Sequence, residues 1–364
     1  MKILEIHYST SWAGAERFVI DLSNELAKNN DITLCIIEDD TKKDNSYYKK
    51  EISPQIKYIN LGCKSGLQLK ALWKIFTLIK KEKPDIVHAH TDAICLFAPA
   101  LLYKKTIYFH TLHNLAEICQ KNKYLTPLYK FFYKKRINPI TISDICFKSY
   151  NKLYRLNNAT NINNGRSELF PSNQLEAVKK EVQELKQNPD DTVFIHIARC
   201  DKQKNQELLI STFNKFLENG HHAILLMIGA SYNTPENKYL LNKAKAGIYW
   251  LGIKNNICDY LLCSDFFILS SLWEGLPISL LEAISLGVIP VCTPAGGIPN
   301  VIINEEIGYL SKDFSEEEFY KTMVNAYNNY NFFNKNNLKK YFIQNFSMKA
   351  CANSYYTTFQ KALK

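Results

Sequence analysis

No Cys-x-x-Cys pair occurs among the ten cysteines of this 364-residue chain, and the nearest two are Cys258 and Cys263. Most of the others sit in apolar runs such as "ITLCIIE" and "VIPVCTP". Zinc and disulfide frameworks both fit badly, so buried free thiols in a reducing cytosol are the expectation. Thirteen glycines and twelve prolines are too few for a low-complexity chain, and no repeat of fixed period is visible. The N-terminus "MKILEIHYS" lacks a signal-peptide core and reads as a strand. A membrane-spanning run is missing as well. The longest uncharged stretch, 283–304, is broken by Gly287, Pro290, Pro294, Gly296, Gly297 and Pro299. Helix-turn-helix, RNP and zinc-finger patterns are absent, so no nucleic-acid partner is expected.

Charge is plentiful but uneven. Residues 1–165 hold 25 Lys and Arg against 15 Asp and Glu, which is the whole net charge of +10, and residues 166–364 balance. An anionic partner is therefore met by the N-terminal half. Short apolar runs at 3–8, 32–38, 56–60, 86–89, 107–109 and 139–142 read as strands. Between them Arg17–Asn29, with Phe18, Leu22 and Leu26, and Leu67–Lys81 read as amphipathic helices. Alternation at this spacing implies a parallel sheet covered on both faces, an α/β doubly wound unit. The pattern pauses over 166–192 and restarts at "TVFIHIAR", with further runs at 223–229, 248–251, 266–269 and 288–291. Two Rossmann-like domains are predicted, 1–165 and 166–346 (with a linker at 166–192), facing a central cleft, and a helix over 347–364. Ligands of such sheets bind beyond the carboxyl ends of strands, so the loops after strands are where chemistry is sought.

Four loops stand out. In "FFILSSLWEGLPISLLEAISLGVIPV" a strand is followed by Glu274 and Gly275, then by Pro277 near a helix start. Gly275 admits close backbone approach, and the free amides of the helix start form an anion site. Glu274 from the loop and Glu282 from the helix face can reach ligand hydroxyls; the plainer alternative is that Glu274 caps the helix and Glu282 is solvated. In "IHIARCDKQKNQELLI", Arg199 and Lys204 follow a strand; such cations grip phosphate oxygens, or form a surface pair on a basic loop. In "IHYSTSWAGAERF", Gly14 stands in a strand–loop–helix turn with one glycine where G-x-G-x-x-G has three, which chain reversal explains nearly as well. In "YFHTLHN", His110 and His113 lie past a strand, and "HAH" (88–90) follows another. No third metal ligand is spaced near His88 and His90, and no metal site is expected.

Taken in order, these loops make the chain similar to the retaining glycosyltransferases of family GT4, with the GT-B fold. The resemblance spans almost the whole sequence and is carried best by the Glu274–Glu282 element and the "GGIPNVI" and "GYL" that follow. "HTLHN", "TISD" (141–144), "NNGR" (163–166) and the Arg199–Asn205 stretch add to it. It implies a C-terminal domain holding a nucleotide-diphospho-sugar and an N-terminal domain holding the acceptor. Arg199 and Lys204 match the pair on the donor diphosphate. Glu274 matches the glutamate on sugar hydroxyls, Glu282 the one near the ribose, and Gly275 and Leu276 the backbone donors to phosphate. Gly14 matches the glycine loop and His113 a histidine near the transferred sugar. The terminal helix is expected to cross back to the N-terminal domain. Ala13 departs from the family's usual Gly-Gly, and Ala230 from its usual glycine after "MIG".

The chain has no D-x-D, so the resemblance implies a metal-independent, cofactor-free reaction in which Arg199, Lys204 and helix amides supply the positive charge. Front-face substitution with retention needs no dedicated protein base. The interleaved "KYLTPLYKFFYKKR" (123–136) reads either as a core-packing helix with a solvated basic face or as a segment at an anionic membrane. With the basic N-terminal half it points to peripheral contact with the inner leaflet, a cytoplasmic location, and a lipid-linked glycan acceptor in surface polysaccharide assembly. UDP is the expected base of the donor. The alternatives are a GT-B epimerase or hydrolase of nucleotide sugars, and a catalytically silent GT-B subunit.

Overall fold

The computed structural model describes every residue except 12–13, 42–45, 65–68, 91 and 121. Ala13 therefore lies outside the described residues, and the helix expected from Leu67 starts at Leu69 among them. The chain divides into two units, residues 1–167 with 346–364, and residues 168–345.

In the first unit the strands are β1 (Lys2–His7), β2 (Asp31–Glu38), β3 (Lys57–Cys63), β4 (Ile86–Ala89), β5 (Ile107–Leu112), β6 (Ile137–Thr141) and β7 (Thr160–Asn161). They form one parallel sheet in the order β3-β2-β1-β4-β5-β6-β7. The direction of winding reverses between β1 and β4, and the crevice above such a switch point is where doubly wound sheets bind ligands. The helices between them are α1 (Gly14–Leu26), α2 (Leu69–Glu82), α3 (Ile94–Leu102), α4 (Ala116–Cys119), α5 (Thr126–Lys135) and α6 (Asp144–Tyr154). Phe18, Leu22 and Leu26 of α1 are buried, as their spacing requires. The "TISD" stretch serves local structure: the Ser143 hydroxyl accepts from the Cys146 amide and caps α6.

The second unit opens with α7 (Leu175–Leu185). It then runs β8 (Thr192–Ile197), α8 (Gln206–Glu218), β9 (Ala223–Ile228), α9 (Lys238–Lys243), β10 (Ile248–Gly252), α10 (Ile257–Leu262) and β11 (Phe266–Leu269). It closes with α11 (Ile278–Leu286), β12 (Ile289–Cys292), α12 (Ile298–Val301), β13 (Tyr309–Leu310), α13 (Glu316–Asn328) and α14 (Lys335–Asn345). The parallel order is β10-β9-β8-β11-β12-β13, with its switch point between β8 and β11. β9, β11 and β12 are buried along their whole length, as strands covered on both faces are. The uncharged run 283–304 is the end of α11, β12, a turn and α12. No described helix is long and apolar enough to cross a membrane.

After α14 the chain rejoins the first unit as α15 (Met348–Leu363), which packs on α1. The seam uses "NNGR". The Arg166 amide donates to the Phe346 carbonyl and the Met348 amide to the Arg166 carbonyl, each at 2.9 Å. A Cβ on Gly165 would lie 2.6 Å from the Cys351 Cβ, so only glycine lets α15 come this close. The buried Arg166 guanidinium pairs with Asp21 of α1.

Candidate active site

The β8 and β11 loops of the second unit meet above their switch point. Lys204 Nζ lies 2.5 Å from Glu274 Oε1. The same oxygen accepts from the Ser271 hydroxyl at 2.7 Å, and Glu274 Oε2 accepts from Gln203 Nε2 at 3.3 Å. The two loops are also laced by backbone: the Leu272 amide donates to the Gln203 carbonyl at 2.8 Å, and the Ser270 hydroxyl to the Lys204 carbonyl at 2.9 Å. Glu274 is 4% exposed. A carboxylate this buried needs its partners, and the ammonium supplies the opposite charge.

Glu274 does not cap α11. Pro277 holds the N-cap position, and among the described residues no side-chain cap bonds the first-turn amides of α11. Those amides are left for a ligand, with the positive end of the helix dipole behind them. Gly275 and Leu276 are buried just ahead of the helix. The Gly275 carbonyl accepts from the Gly297 amide at 2.9 Å. Gly296 sits at φ +58°, and a Cβ there would lie 1.8 Å from the Glu274 carbonyl oxygen. The glycines of "GGIPNVI" thus let β12's following turn support the Glu274 loop.

Arg199 is placed differently from Lys204. Its Nε donates to Asp201 Oδ2 at 2.8 Å and its side chain is half exposed. The other Asp201 oxygen accepts from the Lys204 backbone amide at 3.1 Å, so one carboxylate orients Arg199 and shapes the loop carrying Lys204. His196 of β8, fully buried, bonds the Ile268 carbonyl through Nδ1 and Gln206 through Nε2. Burial pushes its pKa down to about 4. Glu282 lies on the second turn of α11, partly buried.

In the first unit Gly14 is the exposed first residue of α1, and His113 is partly buried one residue past β5. The strand register sets Glu5 of β1 opposite His88 of β4. Glu5 Oε2 lies 2.8 Å from His90 Nε2 and 2.9 Å from His88 Nδ1, the second too oblique for a hydrogen bond. His90 Nδ1 bonds His113 Nε2 at 2.9 Å, and His88 Nε2 bonds the Thr111 hydroxyl at 2.8 Å. Thr111 in turn meets the Tyr355 hydroxyl of α15 at 3.1 Å. The expectation that no third ligand-type residue stands by His88 and His90 is corrected here: Glu5 does, brought from β1 by the sheet, and the three offer ligand atoms within 4.8 Å of one another. Their spacings are those of hydrogen bonds, shorter than the roughly 3.3 Å between ligand atoms around a tetrahedral zinc. Burial alone would raise the Glu5 pKa, but His88 and His90 hold it down to about 2. Burial, with His88 beside it, pushes His90 down to about 3.

The "KYLTPLYKFFYKKR" segment, a 3-10 turn over Lys123–Leu125 followed by α5, divides its side chains. Tyr129, Phe132 and Tyr133 are buried, whereas Tyr124, Leu128 and Phe131 are exposed at successive turns, with Lys123, Lys134 and Lys135 exposed nearby in sequence.

Residues 12–165 match the family described as Glycosyltransferase Family 4, and residues 177–345 match Glycosyl transferases group 1. An uncharacterized glycosyltransferase of Methanocaldococcus jannaschii, MJ1059, is 30% identical over 278 residues, 68% of each chain. The UDP-Gal:alpha-D-GlcNAc-diphosphoundecaprenol alpha-1,3-galactosyltransferase of Escherichia coli is 27% identical over 275 residues, 70% of each. Among solved structures, Anabaena Alr3699/HepE in complex with UDP superposes with a TM-score of 0.81 at 16% identity, covering 99% of this chain and 100% of that one.

Proposed function

This chain belongs to the group 1, family 4 glycosyltransferases and carries their GT-B pair of Rossmann-like domains, and on that premise we propose that it moves a sugar from a nucleotide-diphospho-sugar to a hydroxyl of a glycan or lipid-linked glycan in surface polysaccharide assembly. The observation that carries this reading is the buried Lys204–Glu274 pair beside the uncapped start of α11. Lys204 has three N–H donors and gives one to Glu274; Arg199 has five and gives one, from Nε, to Asp201, with Nη2 2.7 Å from the same carboxylate oxygen. The remaining donors, with the amides of Gly275 and Leu276, are suited to a diphosphate. Glu274 is assigned to the sugar hydroxyls and Glu282 to the ribose. Gly14 and His113 act from the unit that binds the acceptor.

In the proposed reaction the bond from the anomeric carbon to the diphosphate oxygen breaks as the acceptor oxygen bonds that carbon on the same face. The acceptor's proton passes to the departing diphosphate, so configuration is retained and no protein base is required. Arg199, Lys204 and the helix amides stabilise the leaving charge without a metal ion. UDP is favoured as the base, which the name of the Escherichia coli relative supports. Its lipid diphosphate acceptor likewise supports a lipid-linked substrate, reached through the basic N-terminal unit and the exposed Tyr124, Leu128 and Phe131 at the inner face of the membrane.

Thermal denaturation with UDP-, GDP- and ADP-sugars tests the donor. A true donor at ~100 times its Kd stabilises by about 2.7 kcal/mol. Glu274→Ala should abolish sugar transfer while the protein stays folded. No stabilisation by any nucleotide sugar, or transfer undiminished in Glu274→Ala, overturns the assignment.

A further inference from the structure

Of the Glu5–His90–His113 chain, only His113 has a part in the proposed reaction. This hydrogen-bonded chain has a definite proton order. Glu5 and His90 are buried side chains joined at 2.8 Å, and His90 reaches His113 at 2.9 Å through its other nitrogen. An ionised Glu5 can only accept, so the single proton of a neutral His90 sits on Nε2 and points to Glu5. His90 Nδ1 is then an acceptor, and His113 must donate from Nε2. The remaining nitrogen of His113, Nδ1, has no hydrogen-bond partner among the described residues.

We propose that Glu5 and His90 are positioning residues that hold His113 with its proton on Nε2, so that Nδ1 presents a lone pair to a hydroxyl of the bound sugar or of its acceptor. This rests on the glycosyl-transfer reading above. The ring is also fixed from the side by Phe18 of α1, whose centroid lies 5.3 Å away. Burial and the neighbouring imidazoles of His90, His7, His88 and His110 keep His113 well below its ordinary pKa. It therefore accepts a hydrogen bond and does not take the proton, which agrees with a reaction that needs no protein base. A reversed order would turn the same nitrogen into a donor, facing a hydroxyl that then has to offer its oxygen. The second-layer carboxylate thus chooses which end of the hydroxyl is gripped.

The order can be read directly by nitrogen NMR of the full-length, ligand-free protein labelled at histidine, with His113→Asn assigning the signal. The Nε2–H form is expected at His113, and its share should fall in His90→Gln, which still donates to Glu5 but no longer accepts from His113. Activity is read as UDP released from UDP-glucose with an alkyl glycoside acceptor. An asparagine carbonyl can stand where Nδ1 stood, so His113→Asn should transfer sugar faster than His113→Gln. His113→Gln reaches only the Nε2 position and should lose about tenfold, the factor for one hydrogen bond; His90→Gln should fall between. Calorimetry of His113→Gln with UDP-glucose and with UDP separates the sources of the hydroxyl. Weaker UDP-glucose at unchanged UDP binding places it on the donor sugar, and both unchanged with a raised acceptor KM places it on the acceptor. An Nδ1–H form in the wild type, or equal activity of the Asn and Gln variants, overturns the proposal. A wild type with the Nε2–H form that binds none of the UDP-, GDP- and ADP-sugars and moves none of their sugars refutes the glycosyl-transfer reading, and with it the hydroxyl contact, while the proton order stands.

Discussion

Replacing Lys204 by alanine should damage stability and catalysis together, and a second substitution should separate them. The ammonium lies 2.5 Å from Glu274, whose side chain is 6% exposed against 17% for Lys204. Deleting one partner of a buried pair strands the other charge and typically costs about 3–5 kcal/mol. Ser271 and Gln203 remain bonded to the carboxylate, which places Lys204→Ala at the lower end, roughly 3 kcal/mol. For a unit of this size that is a fall of roughly 6–12 °C in melting temperature. The double variant Lys204→Met with Glu274→Gln removes both charges while keeping volume, and should return to within about 1 kcal/mol of the wild type. Its sugar transfer should stay lost, because donors to the diphosphate and the sugar are both gone. Scanning calorimetry alongside a transfer assay reads both quantities. A Lys204→Ala protein melting within 2 °C of wild type ( makes that under about 1 kcal/mol), or a double variant no more stable than the single, would refute the argument from buried charge.

Three further outcomes follow from the geometry. Gly296→Ala drives a Cβ into the Glu274 carbonyl and should cost about 3 kcal/mol or more with loss of transfer. Gly220→Ala, also at positive φ but in open space, should cost only about 1–2 kcal/mol with transfer intact, and urea titrations of both variants make the comparison. Acid should weaken both units. His90 and His196 have folded pKa values of about 3 and about 4, below the ordinary 6.5, so the unfolded chain binds more protons as pH falls beneath 6.5 and stability drops between there and those values. Glu5, at about 2, adds its share below pH 4.5. Urea midpoints at pH 7 and pH 5 should differ in that direction, and equal midpoints would contradict the buried neutral imidazoles. Finally, Phe131→Ser with Tyr124→Ser should reduce flotation with anionic liposomes, and wild-type flotation that is absent or insensitive to salt would remove the membrane contact.

Much of this was legible from residue order because it depends on local pattern. The alternation of apolar runs places β8, β11 and the helix starts, and Glu274, Gly275 and Pro277 announce a strand–loop–helix edge by themselves. What escaped depends on which strands become neighbours. Glu5 and His88 are 83 positions apart and meet only because β1 and β4 pair at the switch point. A glutamate between Leu4 and Ile6 was the available signal, since a charge inside an apolar strand must find a partner. Asp201 stood beside Arg199 in plain view, yet its turn toward Arg199 belongs to the loop's conformation. The need for glycine at 296 arises from a backbone 22 residues away in sequence, which no local rule supplies.

The return of α15 to the first unit has a bearing on how the chain is made. Its partners on α1 emerge from the ribosome some three hundred residues before it does, so the first sheet waits, with Phe18 and His88 uncovered, until α15 is synthesised. Residues 168–345 need no such late arrival and can close first. Nascent chains halted ahead of residue 346 should therefore engage chaperones through residues 1–167, and emergence of residues 346–364 should end that engagement.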